Sequence, residues 1–248
     1  MRNGVIIALI CLFCCAMSCP SDLHEHPRDS FIASYYEPES VDAAVSSVIT
    51  TEGETYYQIE VIAYDLKLVA SLSANEELFS SLCKQNNDEG FRQSDVYDRF
   101  LTDYPNCFAD SYNMDVYTVS QWDESHPAHS SLNDLIWVTG DSYYPFIQSG
   151  YILYDHMTDT RSALYYLDLR HGQIINQYPI DKPLTEMGPD DLRMVPLIYS
   201  ESRVPKHYDY VYTICYFFLP KQEKSSGEVR LVINSSSGKE YQIPLTLE

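Results

Sequence analysis

The densest group of side chains able to bind a metal lies in one polar loop. Two acids and two histidines occur within seven residues, namely Asp123, Glu124, His126 and His129. A zinc site needs three or four such ligands converging at about 2.0–2.2 Å. Pro127 makes their spacing irregular, so they do not share one helix face. An ordinary polar loop is the favoured interpretation, in which His126 and His129 are weak metal candidates and no cofactor is expected.

Three cysteines lie outside the apolar leader: Cys83, Cys107 and Cys215. We prefer a disulfide between Cys83 and Cys107, which would close a loop of about 24 residues and contribute ~3 kcal/mol. Three buried free thiols are the alternative. Cys215 falls in an apolar strand, where burial keeps a thiol neutral, so it is not expected to be a nucleophile.

Paired carboxylates could indicate glycosidase chemistry, which uses two acids about 5–10 Å apart. The adjacent pairs Asp190–Asp191 and Asp88–Glu89 are examples, but 36 acidic residues make such pairs expected by chance. The sequence contains no nucleophile elbow, zinc-protease motif or glycine-rich phosphate loop. We therefore assign no catalytic residue, and an enzyme is the minority interpretation.

The first nineteen residues form an export leader. Arg2 precedes a run of 13 apolar residues, Val5–Met17, whereas a membrane-spanning helix needs about 20. Small residues, Ala16 and Ser18, stand three and one before Cys19, as signal peptidases require. This resembles the lipobox of bacterial lipoproteins, although leucine is commonest where Ala16 stands. The resemblance implies acylation of Cys19; cleavage that leaves a plain thiol is the alternative.

Three segments are predicted from this leader onward. Residues 1–18 are a signal peptide, residues 19–54 are the lipidated N-terminus and a flexible tether, and residues 55–248 are a β-rich globular domain. Prolines at positions 20, 27 and 38 discourage regular structure in the tether. The predicted location is a membrane-anchored exported lipoprotein, periplasmic or on the cell surface.

The charge balance restricts the partners. Sixteen basic and 36 acidic residues give a formal net charge of −20. Such a surface repels the phosphate backbone, so nucleic acid is not an expected partner. The expected partners are the membrane, through the anchor, and a glycan or protein.

Strand patterns dominate the globular part. Tyr57–Tyr64 and Asp115–Val119 read as strands, and Tyr208–Phe218 is apolar on both faces, as in a central strand. Glu228–Ile233 and Tyr241–Leu247 form a hairpin, with Pro244 confining its second strand to an edge or a bulge. The fold class predicted is mainly β, an antiparallel immunoglobulin-like β-sandwich with two or three short helices.

Three short helices are predicted. Ser73 and Glu76 have the spacing of a capping box, which starts a helix that ends before Asn86. A second helix begins at Ser94 and is stopped by a proline. A third is capped by Ser130 or Ser131.

The run from Cys107 to the sequence HPAHSSLNDLI, residues 126–136, resembles a family of uncharacterised lipoproteins from Bacteroides-type bacteria. In that family a strand leads through a turn of small residues to a helix like L-N-D-L. The resemblance implies a cell-envelope lipoprotein with no assigned reaction.

Three functions follow from these expectations. The first is non-catalytic display of a β domain that binds a glycan, peptide or protein, with Trp137, Tyr143 and Tyr144 as guesses for an aromatic platform. The second is a structural accessory subunit of a fimbria-like assembly, whose strand Tyr241–Leu247 pairs with a neighbour. The third is a glycan-directed hydrolase.

Overall fold

The structure is a computed structural model and describes residues 29–91, 105–152, 164, 179–200, 210–221 and 227–248. Its strands are β1 Ser34–Ile49, β2 Thr55–Ser71, β3 Asn106–Phe108, β4 Tyr112–Thr118, β5 Trp137–Asp141, β6 Pro179–Pro183, β7 Ile198–Tyr199, β8 Tyr212–Pro220, β9 Gly227–Ser235 and β10 Glu240–Leu247. Its helices are α1 Glu76–Gln85 and α2 Tyr144–Gln148, with single 3-10 turns at Asn133–Leu135 and Leu184–Glu186. The predicted leader with Cys19 lies outside the described residues.

The larger sheet has the strand order β3-β1-β2-β8-β5-β6, and β7 also pairs with β8. Strand β8 lies between β2 and β5, and residues 213–219 are all buried. A strand buried on both faces reads as a continuous apolar run, which is the pattern its sequence shows. The prediction of a central strand here is therefore confirmed.

A long hairpin of β1 and β2 forms much of this sheet and corrects the predicted tether. Ser34 pairs with Ser71 and Ile49 pairs with Thr55, so β1 is bonded along its length. Pro38 is tolerated because β3 pairs with β1 only at Ser34–Tyr36, which leaves the proline at an edge. The tether prediction is wrong for residues 34–54, which form β1 and the turn that joins it to β2.

The smaller sheet has the order β10-β9-β4. The predicted hairpin is confirmed: β9 and β10 are antiparallel, and Gly238 supplies the positive φ of +87° in their turn. Pro244 lies in β10, which is the edge strand of this sheet, as predicted.

Both sheets contribute to one hydrophobic core, which joins Val41, Ile59, Val138 and Phe217 of the larger sheet to Val116, Leu231 and Leu245 of the smaller one. The prediction of a mainly β fold is confirmed. The immunoglobulin-like sandwich is not confirmed, because the larger sheet is mixed: β3 runs parallel to β1.

The helices follow the sequence in position but not in capping. Helix α1 ends at Gln85 as expected, yet its N-cap is Asn75, in the left-handed region at φ 57° and with no side-chain cap. The side-chain oxygen of Ser71 accepts hydrogen bonds from the amides of Ser73 and Ala74. The predicted capping box is therefore not formed. Ser131 does accept the Asn133 amide at 3.1 Å, but only one 3-10 turn follows.

The second predicted helix, from Ser94, lies outside the described residues. Across the described ranges, no helix has the length and apolar character needed to cross a membrane.

A second hydrophobic core packs the residues before β1 against the segments that follow α1 and α2, and the buried carboxylate of Asp88 lies beside it. Its oxygens accept the amides of Phe31 and Ile32 at 2.8 and 2.9 Å, and the Tyr151 hydroxyl at 2.8 Å. Burial raises the pKa of Asp88, and these three donors act in the opposite direction. Asp88 therefore ties the chain before β1 to the segments after α1 and α2.

We expect Asp88→Ala to lower the free energy of unfolding by ~2–4 kcal/mol, because three buried donors lose their acceptor. Asp88→Asn, which keeps one oxygen, should lose less. Urea unfolding followed by circular dichroism measures both changes. Glu89→Gln alters the neighbouring exposed carboxylate and is the control; an Asp88→Ala protein as stable as this control would contradict the role assigned to Asp88.

Candidate functional site

His126 is held between two carboxylates. Its Nδ1 lies 2.8 Å from Asp123 Oδ1, and its Nε2 lies 3.2 Å from both oxygens of Asp134. The side chain is only 10% exposed. Both ring nitrogens are therefore engaged by anions, an arrangement that suits a protonated imidazolium bridging two segments of the loop.

The electrostatics of this loop follow from that geometry. Partial burial would lower the pKa of His126, but its hydrogen bonds to Asp123 and Asp134 raise it. For Asp123, slight desolvation opposes the same hydrogen bond, and the net effect is a lowered pKa. The histidine and its acids thus each favour the charged form of the other.

His129 lies apart from this bridge. Its backbone is left-handed, at φ 65°, and its amide donates to the Thr118 carbonyl at 3.1 Å. Among the described residues, no group of three histidines, cysteines or acids is arranged to hold a metal ion. The weak candidates His126 and His129 are therefore not brought together as ligands in this part of the chain.

The bridge makes stability depend on pH. Because the folded pKa of His126 is raised above 6.5, its contribution is complete below about pH 6.5 and is lost as pH rises through the folded pKa. The lowered pKa of Asp123 means that its contribution is lost only as pH falls below about 4. We expect His126→Gln to lower the free energy of unfolding by about 1 kcal/mol near pH 6 and by less near pH 9.

Urea midpoints of wild type and His126→Gln at both pH values measure this difference. His129→Asn is the matched control in the same loop, since asparagine tolerates a left-handed backbone. A cost for His126→Gln that is equal at both pH values would show that the imidazole acts by packing and not by its charge.

The adjacent acids do not form catalytic pairs. Asp190 binds the guanidinium of Arg193 at 2.9 Å, whereas Asp191 binds Lys182 at 2.7 Å. Asp88 is buried while its neighbour Glu89 is exposed. Each member of a pair thus faces a different environment, so neither pair has the convergent geometry that glycoside hydrolysis uses.

Glu60 is a buried acid that the sequence did not single out. Its Oε1 accepts the hydroxyls of Ser200 and Thr213 at 2.7 and 2.5 Å, and that of Tyr216 at 3.1 Å. These donors join β2 to β8 and to the residue after β7. The sequence offered a partial signal for Glu60, because the residues at 59 and 61–63 around it are apolar.

The cysteines are free thiols in the structure, which corrects the preferred disulfide. Cys83 and Cys107 are both buried in the second core but are not bonded to each other. The sulfur of Cys83 lies 3.9 Å from the Tyr35 hydroxyl. Burial, followed by the charge of Asp88, raises the pKa of Cys83 to about 11, and burial also raises that of Cys107.

Cys215, the third thiol, is fully buried in β8. Its sulfur contacts Met114 at 3.7 Å. A buried thiol is a poor nucleophile, because the thiolate is the reactive form.

The three aromatic side chains predicted as a platform have structural contacts instead. Trp137 donates its indole N–H to Asp181 at 2.7 Å, and Tyr143 packs edge-on against Phe31 at 5.2 Å. The guanidinium of Arg193 lies 4.9 Å above the ring of Tyr144. None of these three is an exposed aromatic face.

Exposed aromatic surface lies elsewhere, at the short strand β7. We call Tyr199, Tyr210 and Tyr212 the tyrosine surface. The rings of Tyr199 and Tyr212 stack at 5.0 Å with an interplanar angle of 29°, and Tyr210 lies 5.8 Å from Tyr199. Tyr199 and Tyr210 are 58% and 61% exposed, so two adjoining rings face solvent.

Backbone pairing fixes this arrangement. Tyr199 is directly opposite Tyr212, and the Ser200 amide donates to the Val211 carbonyl at 2.8 Å. Tyr210 precedes Tyr212 by two residues, which places both side chains on the same face. Burial, followed by its hydrogen bond with Tyr199, raises the pKa of Tyr212. The pairing of β7 with β8 therefore sets the positions of Tyr199 and Tyr212.

Part of this surface could be anticipated from local sequence pattern. Tyr210 and Tyr212 belong to the alternating tyrosines of the predicted central strand, where packing explains them. Tyr199 lies in a different segment, and no pattern in the sequence around it predicts that it pairs with β8.

The chain was compared with known proteins in three ways. No protein-family model, curated protein or solved structure matches it.

Proposed function

We propose that the chain is an exported, lipid-anchored β domain of the cell envelope that binds glycan without cleaving it. The observation that supports glycan binding is the tyrosine surface, where Tyr199 and Tyr210 present adjoining rings to solvent. Aromatic faces offer an apolar contact to the C–H faces of sugars, and phenolic hydroxyls add hydrogen bonds. Packing within the domain does not require two rings to remain this exposed.

A short connection to the anchor is part of the proposal. Phe31 and Ile32 are buried, so acylation at Cys19 would leave residues 20–30 between the lipid and the fold. Fully extended, these residues span at most roughly 40 Å. The domain would then lie close to the membrane, where it can reach glycan of the envelope.

The proposed lack of cleavage rests on the surroundings of four described acids. Asp88 and Glu60 are enclosed by donors of the fold, and the carboxylates of Asp190 and Asp191 bind different cations. These contacts favour binding over hydrolysis. No observation favours the fimbrial alternative: β10 is an edge strand, but Pro244 within it has no N–H to offer a partner strand.

We expect the double variant Tyr199→Ala, Tyr210→Ala to lose glycan binding. Each ring should contribute ~1 kcal/mol, so affinity should fall roughly tenfold or more. Native electrophoresis in gels containing neutral polysaccharides measures binding as retarded migration. Ile49→Ala, which truncates an apolar residue that is 66% exposed in β1, is the matched control.

Wild-type migration that no polysaccharide retards would contradict the glycan proposal. Retardation that survives in the double variant would place the binding elsewhere. Release of new reducing ends from the same polysaccharides would contradict the non-catalytic part and support the hydrolase.

The anchor has its own test. Cells grown with a labelled fatty acid should incorporate label into the wild-type protein and not into Cys19→Ser, because the thiol is the acylated group. Cys83→Ser is the control for loss of a thiol outside the leader. Equal labelling of Cys19→Ser and wild type would exclude acylation at Cys19.

A further inference from the structure

A concave site lies on the outer face of the smaller sheet, away from the tyrosine surface. Its cavity of about 270 Å³ is lined by Tyr117, Arg230, Val232 and Gln242 from the three strands and by His129 from a loop. Binding cavities for drug-sized molecules start near 300 Å³. A volume just below that limit suits a single small polar ligand such as one sugar ring.

Strand register brings the lining side chains together. Tyr117 pairs directly with Arg230, and Val232 pairs with Gln242. Residues directly opposite on one face of a sheet have Cβ atoms about 5 Å apart. An aromatic ring, a guanidinium and an amide therefore share one patch on the outer face of the sheet.

The loop that carries His129 is fixed to β4. The Thr118 hydroxyl donates to the Pro127 carbonyl at 2.9 Å, and the amides of His129 and Ser130 donate back to Thr118 at 3.1 and 3.2 Å. His129 adopts a left-handed backbone within this loop, a conformation uncommon for a residue other than glycine. The backbone that carries His129 at the edge of the cavity is thus fixed by the fold before any ligand arrives.

The charge of Arg230 indicates what the cavity would take. The chain has 36 acidic against 16 basic residues, yet no described carboxylate forms an ion pair with Arg230. Lys67, Lys182, Arg193 and Lys239 each have such a partner. Asp115, which pairs with Val232 on the same face of the sheet, accepts the Asn133 side-chain amide at 2.8 Å.

From this arrangement we infer that the cavity binds one hexuronate residue, an acidic sugar. The guanidinium of Arg230 binds the carboxylate through a two-point contact, as guanidinium groups do. The ring of Tyr117 covers one face of the sugar. Gln242, whose amide N–H₂ donates to Glu240 at 2.7 Å, keeps its carbonyl oxygen for a sugar hydroxyl.

The site is independent of the proposed function, since it uses another sheet and other side chains. Ligand-observed saturation-transfer NMR with the purified full-length chain tests it. Three probes are compared: methyl glucuronide, its neutral twin methyl glucoside, and acetate. We expect saturation of the glucuronide to exceed that of the glucoside, with acetate unable to displace it at equal concentration.

Variants then assign the carboxylate contact. Arg230→Gln should weaken glucuronide binding roughly tenfold or more, because it removes a charge-assisted two-point contact. Arg230→Lys, which keeps the charge but not the planar fork, should retain an intermediate affinity. Lys84→Gln removes one exposed positive charge at the end of α1 and is the matched control.

Several results would overturn the inference. If the wild-type protein saturates glucuronide and glucoside equally, or saturates neither sugar, it does not recognise acidic sugars. This result would overturn the inference without any variant. Displacement by acetate would reduce the site to a bare anion contact. Unchanged binding by Arg230→Gln would exclude this cavity. The variant Tyr199→Ala, Tyr210→Ala should bind glucuronide as wild type does, so this site and the tyrosine surface can fail separately.

Discussion

The structure depends on the backbone pairing of β2, which bonds to β1 along one side and to β8 along the other. Ile59, Val61 and Ala63 of β2 face the shared core, while Glu60 between them faces the opposite side. Each strand residue points to the face opposite its neighbours, so a single strand supplies both the apolar core and a buried carboxylate. Both candidate surfaces derive their positions from sheets built onto this core.

The buried acids show how the fold accommodates charge without using it for chemistry. Asp88 accepts two amides of the chain before β1, and Glu60 accepts three hydroxyls around β8. A buried carboxylate is costly unless donors surround it. Here the donors come from segments distant in sequence, so each acid joins separate parts of the fold. Its hydrogen bonds require defined partners, whereas apolar contacts do not.

The two proposed binding surfaces differ in chemistry in a way that follows from their strands. The tyrosine surface consists of stacked rings at the end of β8, where the short β7 leaves them uncovered. The cavity of the smaller sheet combines one ring with a guanidinium and an imidazole. A neutral sugar face suits the first and an acidic sugar suits the second.

The sequence by itself determined the elements with strong periodicity. The apolar run of β8, the hairpin of β9 and β10, and helix α1 each have a local pattern that residues a few positions apart create. The edge position of β10 followed from Pro244, since proline lacks a ladder donor. The leader pattern ending at Cys19 belongs to this class as well, and it stays a prediction.

Tertiary structure decided what no local pattern carries. Strand β1 has polar residues and a proline, and it is a strand because β2 supplies its partner across the hairpin. His126 reads as a metal candidate in sequence, but folding places Asp134 against its second nitrogen. Pairing with β8 places Tyr199 beside the other tyrosines, and pairing with β4 places Arg230 opposite Tyr117. Long-range register sets which side chains meet, and that register is a property of the whole sheet, not of any one segment.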